Sequence, residues 1–444
     1  MYSNFCKAIV TKKRVKCKIK MKNYLYLCTT IMTRYNTTIL SNGMRVIHLP
    51  STSPVVYCGI GINAGSRQEA PGEEGLAHFC EHVTFKGTKK RSSFQILNSL
   101  ESVGGDLNAF TNKEDTIFYA AIQREHFSRA VDLLTDIVFN SQYPQHEIEH
   151  EVDVICDEIE SYNDSPAELI YDEFENMLFA GHPLGHNILG THERVQSFRD
   201  VDARRFTQRH YRPDNAIFFV YGDVSFSRLV KMLDTRLKAD VETLGNGNAP
   251  TADSNPATVT VPSTTPDATS VLHHQAHVML GSSAYAWDDE RRMPLYLLNN
   301  ILGGPGMNAR FNISLRERHG LVYTVESSLA AYSDTGCWSV YFGCDHHDVK
   351  RCLRLVHREL DRMMQHPLNE RQLTAAKRQL KGQIAIACDN KEQFTLDFAK
   401  HFLHYGLERD ITMLLERIDS ITALQIQDVA QHIFDPQRLQ LLTI

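Results

Sequence analysis

The sequence predicts an α+β protein built as two homologous halves, each a sheet with helices packed on it. Runs of strand pattern alternate with helix-length segments through residues 35–242. A stretch at 243–270 is dominated by Thr, Ser, Pro, Gly, Asn, Asp and Ala and holds few large apolar residues. It is too long for an ordinary loop inside one compact body and reads as a linker. Residues 271–444 then repeat the order of strands and helices that precedes the linker. A chain of 444 residues, 42% hydrophobic and 23% charged, can bury two or three cores of ordinary globular composition.

Residues 1–34 lie outside this plan, carrying nine Lys or Arg and no Asp or Glu. Their apolar run Tyr24–Cys28 is too short to span a membrane or to serve as a secretory signal core. A mitochondrial presequence and a chain start at Met32 both stay open. From Thr37 to His48 a strand, an Asn-Gly turn and a returning strand are expected. Further strands are expected at 55–63, 104–111, 116–122 and 215–222, with helices from Ser128 to Asn140, through 146–160 and from Ser225. In the second half, strands at 275–283 and 336–343 and helices at 294–302, from Asp348 and from Asn369 match those of the first.

The chemistry is concentrated in His78-x-x-Glu81-His82. No Pro or Gly falls between Leu76 and Lys86, so a helix can run through it. His78 and His82, four apart, then share a face and can aim two imidazoles at one point. Glu81 borders that point. Two nitrogen ligands beside a carboxylate suit a zinc hydrolase, where the metal acidifies a water and the carboxylate takes its proton. Read alone, the five residues also fit an amphipathic helix with surface histidines. A third ligand would decide between the two. The acidic segment 146–160 offers Glu151 and Glu158, seven apart and so on one helix face, although a solvated acidic face has the same pattern. Cys80, between the two His, lies off their face and is expected to pack rather than coordinate. His182 and His186 fall in a Gly/Pro-punctuated loop and are expected to be loop residues.

With these residues in place, the chain resembles the inverted zinc peptidases, the group of pitrilysin, insulin-degrading enzyme and mitochondrial processing peptidase. The resemblance covers roughly 35–444 and is strongest in 60–160. The flanks Gly75-Leu-Ala-His78 and Phe85-Lys-Gly-Thr88 match the processing-peptidase type. That family's third ligand stands 76 positions after the second His, which here is Glu158. The resemblance implies Zn²⁺ held by His78, His82 and Glu158, Glu81 as general base, and Glu151 behind the ligands orienting a ligand His or the metal's water. It implies an extended peptide added as a strand along Leu107–Phe110, with Asn108, Ala109 and Phe110 at the substrate. It also implies Arg316 and Tyr323 reaching across to the substrate near the metal, Tyr323 stabilising the oxyanion. The turn Gly303–Gly306 is similar to the glycine-rich loop of the processing-peptidase partner subunit, in a shorter form.

The second half carries no such set: 294–302 has no His, and 371–388 has no Asp, Glu or His. Two units of this length form a closing chamber in the family. The expected activity is therefore that of a metalloendopeptidase pairing as a homodimer or with a related subunit, one such unit forming half of the clamshell. A presequence-processing subunit and a non-catalytic scaffold of the core-protein kind are the rivals. A net charge of −6 gives no reason to expect nucleic acid, and no segment suggests a membrane partner. Ten scattered Cys without a C-x-x-C pair read as reduced thiols, so a cytoplasmic location is expected, with mitochondrial matrix and periplasm left open.

Overall fold

The computed structural model describes residues 35–238 and 275–444. The basic N-terminal stretch and the 243–270 linker therefore lie outside the described residues. The first half opens with the expected hairpin, β1 (Asn36–Ile39) and β2 (Arg45–Pro50), with Thr38 opposite Val46. Strand β3 (Val55–Ile62) leads through an acidic loop to helix α1 (Leu76–Thr84), which carries the His-x-x-Glu-His motif. Helix α2 (Ser93–Glu101) starts from a capping box of Ser92 and Gln95, a local signal the strand-by-strand reading passed over. Strands β4 (Asp106–Thr111) and β5 (Thr116–Gln123) follow, then helices α3 (Phe127–Asn140), α4 (Gln145–Asn163) and α5 (Pro166–Leu178). Two further helices, α6 (His192–Ser197) and α7 (Asp200–His210), precede β6 (Ala216–Gly222) and α8 (Phe226–Lys238).

The second half holds β7 (Ala276–Ala284), α9 (Arg292–Gly303), a wide π-helical turn at Asn312–Glu317, β8 (Val322–Ala331) and β9 (Gly336–Cys344). It continues through α10 (Val349–Gln365), α11 (Glu370–Ala387), α12 (Lys391–Tyr405), α13 (Ile411–Ser420), α14 (Ala423–Ile433) and β10 (Gln440–Thr443). The sheet orders are β1-β2-β6-β3-β5-β4 and β10-β7-β9-β8. The second is the inner and outer part of the first, β6-β3-β5-β4, with the same antiparallel pairings. The repetition read from the sequence is thus a repetition of strand order. Strands β4 and β8 end their sheets on corresponding edges.

Each sheet buries one face under its own helices. Phe79, Phe118, Leu133 and Ile137 centre the first core, and Leu298, Trp338, Phe342 and Leu360 the second. The other faces are covered by exchange. Helix α5 of the first half lays Ile170 and Phe174 on Met279, Cys337 and Tyr341 of the second sheet. Helix α12 of the second half lays Phe394, Phe398 and Phe402 on Ile217, Phe219 and Tyr221 of the first. Burying one such aromatic is worth about 2–3 kcal/mol, so the exchange ties the halves together strongly. Polar contacts follow the same seam. Arg45 donates to the carbonyls of Phe402 (3.0 Å) and Leu403 (2.8 Å), and Tyr332 donates to Glu175 (2.8 Å). His404 meets the buried Asp115 at 3.0 Å, and the Ser333 hydroxyl donates to Glu114 at 2.6 Å.

The cysteines of the described residues are free and mostly buried. No helix among the described residues is long and apolar enough to cross a membrane.

Candidate metal centre

Helix α1 is anchored at its first turn. Gly75 precedes it at φ 93°, a left-handed conformation that a side chain resists. A Cβ on Gly75 would also meet the Leu189 carbonyl oxygen at 2.7 Å and the Gly190 Cα at 2.8 Å. The 178–191 loop therefore presses directly on the start of the motif helix. The Glu69 carboxylate, whose side chain is 1% exposed, accepts from the backbone N–H of Gly75 (3.0 Å) and Ala77 (2.7 Å) and pairs with His186 Nε2 at 2.9 Å. A carboxylate on the first amides of a helix satisfies orphan donors and complements the helix dipole. His186 is thus tied to Glu69 and His182 to Asp334, at 3.3 Å, both apart from the metal motif. On the far side of α1, Phe79 packs on Phe198 and the buried Cys80 thiol faces the Ala203 carbonyl, so Cys80 packs as expected.

The other face of α1 meets α4. His78 Nε2 and His82 Nε2 lie 3.2 Å apart, and Glu158 Oε2 lies 3.4 Å from the second and 3.8 Å from the first. Ligands about 2.0–2.1 Å from a tetrahedral ion are separated by about 3.3 Å. The three atoms fit that spacing, with one side left open where the Glu158 side chain is 45% exposed. Burial and the charge of His82 push the His78 imidazole down to about 4. Burial would also lower His82, but its bonds to Glu151 and Glu158 and the nearby carboxylates raise it to about 9.

Thr111 and Lys86 stand behind the triad and could not be read from spacing. Thr111, the last residue of β4, donates to Glu81 Oε2 at 2.6 Å. Burial holds the Glu81 carboxyl above the usual range, against the pull of that bond and of His82. Glu151 Oε1 takes His82 Nδ1 at 2.9 Å, while its Oε2 pairs with the Lys86 ammonium. Burial would raise Glu151, but the His82 and Lys86 bonds keep it low.

Strand β4 is the free edge of its sheet. Asn108 is exposed there, Ala109 leans on the front core and Phe110 on the rear, where Lys400 covers its ring at 4.6 Å. Residues 109 and 110 therefore offer main chain to the edge more than side chain. Arg316 and Tyr323 are paired with each other, the guanidinium 5.9 Å from the ring centre. Tyr323 is 82% exposed, not half-buried as strand position would suggest. Beyond that ring contact, Arg316 approaches Glu317, at 4.0 Å; no hydrogen bond or ion pair joins either residue to the triad of its own chain.

A duplicated α+β frame with two imidazoles four residues apart, a distant carboxylate and an inverted motif defines the class of the inverted metallopeptidases. The chain belongs to the insulinase family, peptidase family M16: residues 45–192 match that family's model and residues 201–380 match the model described as the peptidase M16 inactive domain. The metal of this family is zinc. An uncharacterized zinc protease of Streptomyces coelicolor is 31% identical over 404 residues, 89% of this chain and 86% of the relative. One of Bacillus subtilis is 30% identical over 395 residues, 88% of this chain and 94% of the relative. A solved protease from Helicobacter pylori shares the fold with a TM-score of 0.83 at 20% identity, covering 93% of this chain and 99% of that one. A peptidase M16 inactive domain from Pseudomonas fluorescens does so with a TM-score of 0.80 at 18% identity, covering 92% and 98%.

Proposed function

We propose that the chain is a zinc metalloendopeptidase that cleaves peptides or unfolded segments bound in extended form. The observation that carries the reading is the convergence of His78 Nε2, His82 Nε2 and Glu158 Oε2 beside a Glu81 carboxylate anchored by Thr111. When bound there, zinc supplies a Lewis acid and lowers the pKa of its water to about 7. Glu81 accepts a proton from the attacking water and returns it to the leaving amine. Glu151 holds the His82 ring, leaving Nε2 free for the metal. The free edge of β4, with Asn108 exposed on it, receives the peptide as an added strand. Such binding reads backbone more than side chain, so sequence preference is loose.

Arg316 and Tyr323 contribute from a second chain. Both are exposed, and neither touches the triad of its own chain, which supports a role across a pairing interface. Because the chain carries both the motif and this pair, the partner is a second copy. Tyr323 then donates to the oxyanion and Arg316 to a peptide carbonyl.

Glu81→Gln tests the core of the reading. Retained zinc with cleavage of a peptide mixture reduced about 10²–10⁴-fold is expected; unchanged cleavage would reject it. Treatment with a chelator should abolish the wild-type activity, and added zinc should restore it.

A further inference from the structure

We propose that Lys86 is a positioning residue for the metal centre: it holds Glu151 in the orientation that orders His82, and so sets zinc affinity. The inference rests on the triad being a zinc site and extends it outward by one side chain.

Lys86 stands four residues after His82, just past the end of α1, where the chain turns through Gly87 at φ 141°. Its ammonium pairs with Glu151 Oε2, while Glu151 Oε1 takes the His82 Nδ1 at 2.9 Å. The Glu151 side chain is 9% exposed and that of Lys86 24%. Glu151 is thus a nearly dry carboxylate with one partner on each oxygen. A carboxylate this buried is held in one rotamer by such partners. With His82 alone it has a free oxygen and can turn along its helix face, which releases the Nδ1–H of His82 and loosens the ring that must present Nε2.

The Lys86 charge also acts directly on a divalent cation, in the opposite sense, by repulsion. That effect is weakened by the partial exposure of Lys86 and by salt. The two contributions are separable, because only the first passes through Glu151.

The test is zinc affinity of the full chain, measured by chelator competition, for wild type, Lys86→Met, Lys86→Arg, Glu151→Gln and the double variant Lys86→Met with Glu151→Gln. Lys86→Gln serves as a second neutral variant should Met mispack. Lys86→Met is expected to weaken zinc binding about tenfold, within the range for groups that orient a ligand. Lys86→Arg should restore most of it. On the Glu151→Gln background, loss of Lys86 should change affinity by less than about twofold or tighten it. An unchanged affinity in Lys86→Met, or equal losses on both backgrounds, would overturn the inference while leaving the zinc site standing. A wild type that binds no zinc would overturn both.

Discussion

In the first half the helix after β3, α1, turns His78 and His82 toward the acidic helix α4. In the second half the helix after β7, α9, turns its polar residues back on its own sheet. Asn299 accepts from the Trp338 indole at 3.0 Å and donates to the Ser327 carbonyl at 3.1 Å. The partner helix also differs: α4 presents Glu151 and Glu158 to α1, whereas α11 buries only Leu380 and Ile384. Both pairs pack, and both sheets keep the same strand order. The frame therefore does not need the metal. The candidate site is a set of side chains carried by one of two copies of a shared scaffold.

The comparison can be broken at its strongest point first, the exchanged helices. Phe174→Ala on α5 and Phe398→Ala on α12 each empty a fully buried aromatic site on the opposite half's sheet. Each should cost about 3–5 kcal/mol in denaturant unfolding. A large loss for one and a small loss for the other would mean that the exchange is not reciprocal.

Next comes the seam. Burial would raise the Asp115 carboxyl, but His404 and Lys400 hold it below its usual value of 3.8. Asp115→Asn should cost roughly 2–3 kcal/mol. A carboxyl lowered by folding stabilises above its unfolded pKa and loses that contribution as pH falls through the folded value. The gap between wild type and variant, followed by thermal melting, should therefore close below about pH 4.

A matched pair then sharpens the difference between the halves. Asn299→Ala leaves the Trp338 N–H unpaired and should cost about 1–3 kcal/mol with zinc content unchanged. His82→Ala should abolish stoichiometric zinc. If Asn299→Ala also lost zinc, the second half would be more than scaffold.

The smallest effect is expected at Thr111. Thr111→Val should lower turnover about tenfold, about 1.4 kcal/mol, at unchanged zinc content, and Thr111→Ser should recover it. Equal turnover in all three proteins would leave Glu81 oriented by something other than β4.

Much of this was legible because it is written locally. The period of apolar residues marked α3, the Asn-Gly turn marked the first hairpin, and the four-residue step put His78 and His82 on one helix face, whereas Glu158 was joined to them by the family resemblance. Helices α5 and α12 were not read as partners of the opposite sheets. An amphipathic face announces that it is buried, not against what. Thr111 and Lys86 were passed over for a related reason. A Thr ending a strand and a Lys after a helix have many ordinary uses, and only the packing of β4 and α4 against α1 brings them to Glu81 and Glu151.

By itself the sequence determined the helical spacing of His78 and His82, the repeated order of strands and the lack of a matching set in the second copy, while Glu158 entered through the family resemblance. These depend on residue type and on separations along one element, which local geometry converts to faces and edges. The tertiary structure alone decided which helix covers which sheet, which side chains stand behind each metal ligand, and that Arg316 and Tyr323 stay exposed and apart from their own triad. Those outcomes depend on contacts between residues far apart in the chain, chosen by the burial of whole faces rather than by any one segment.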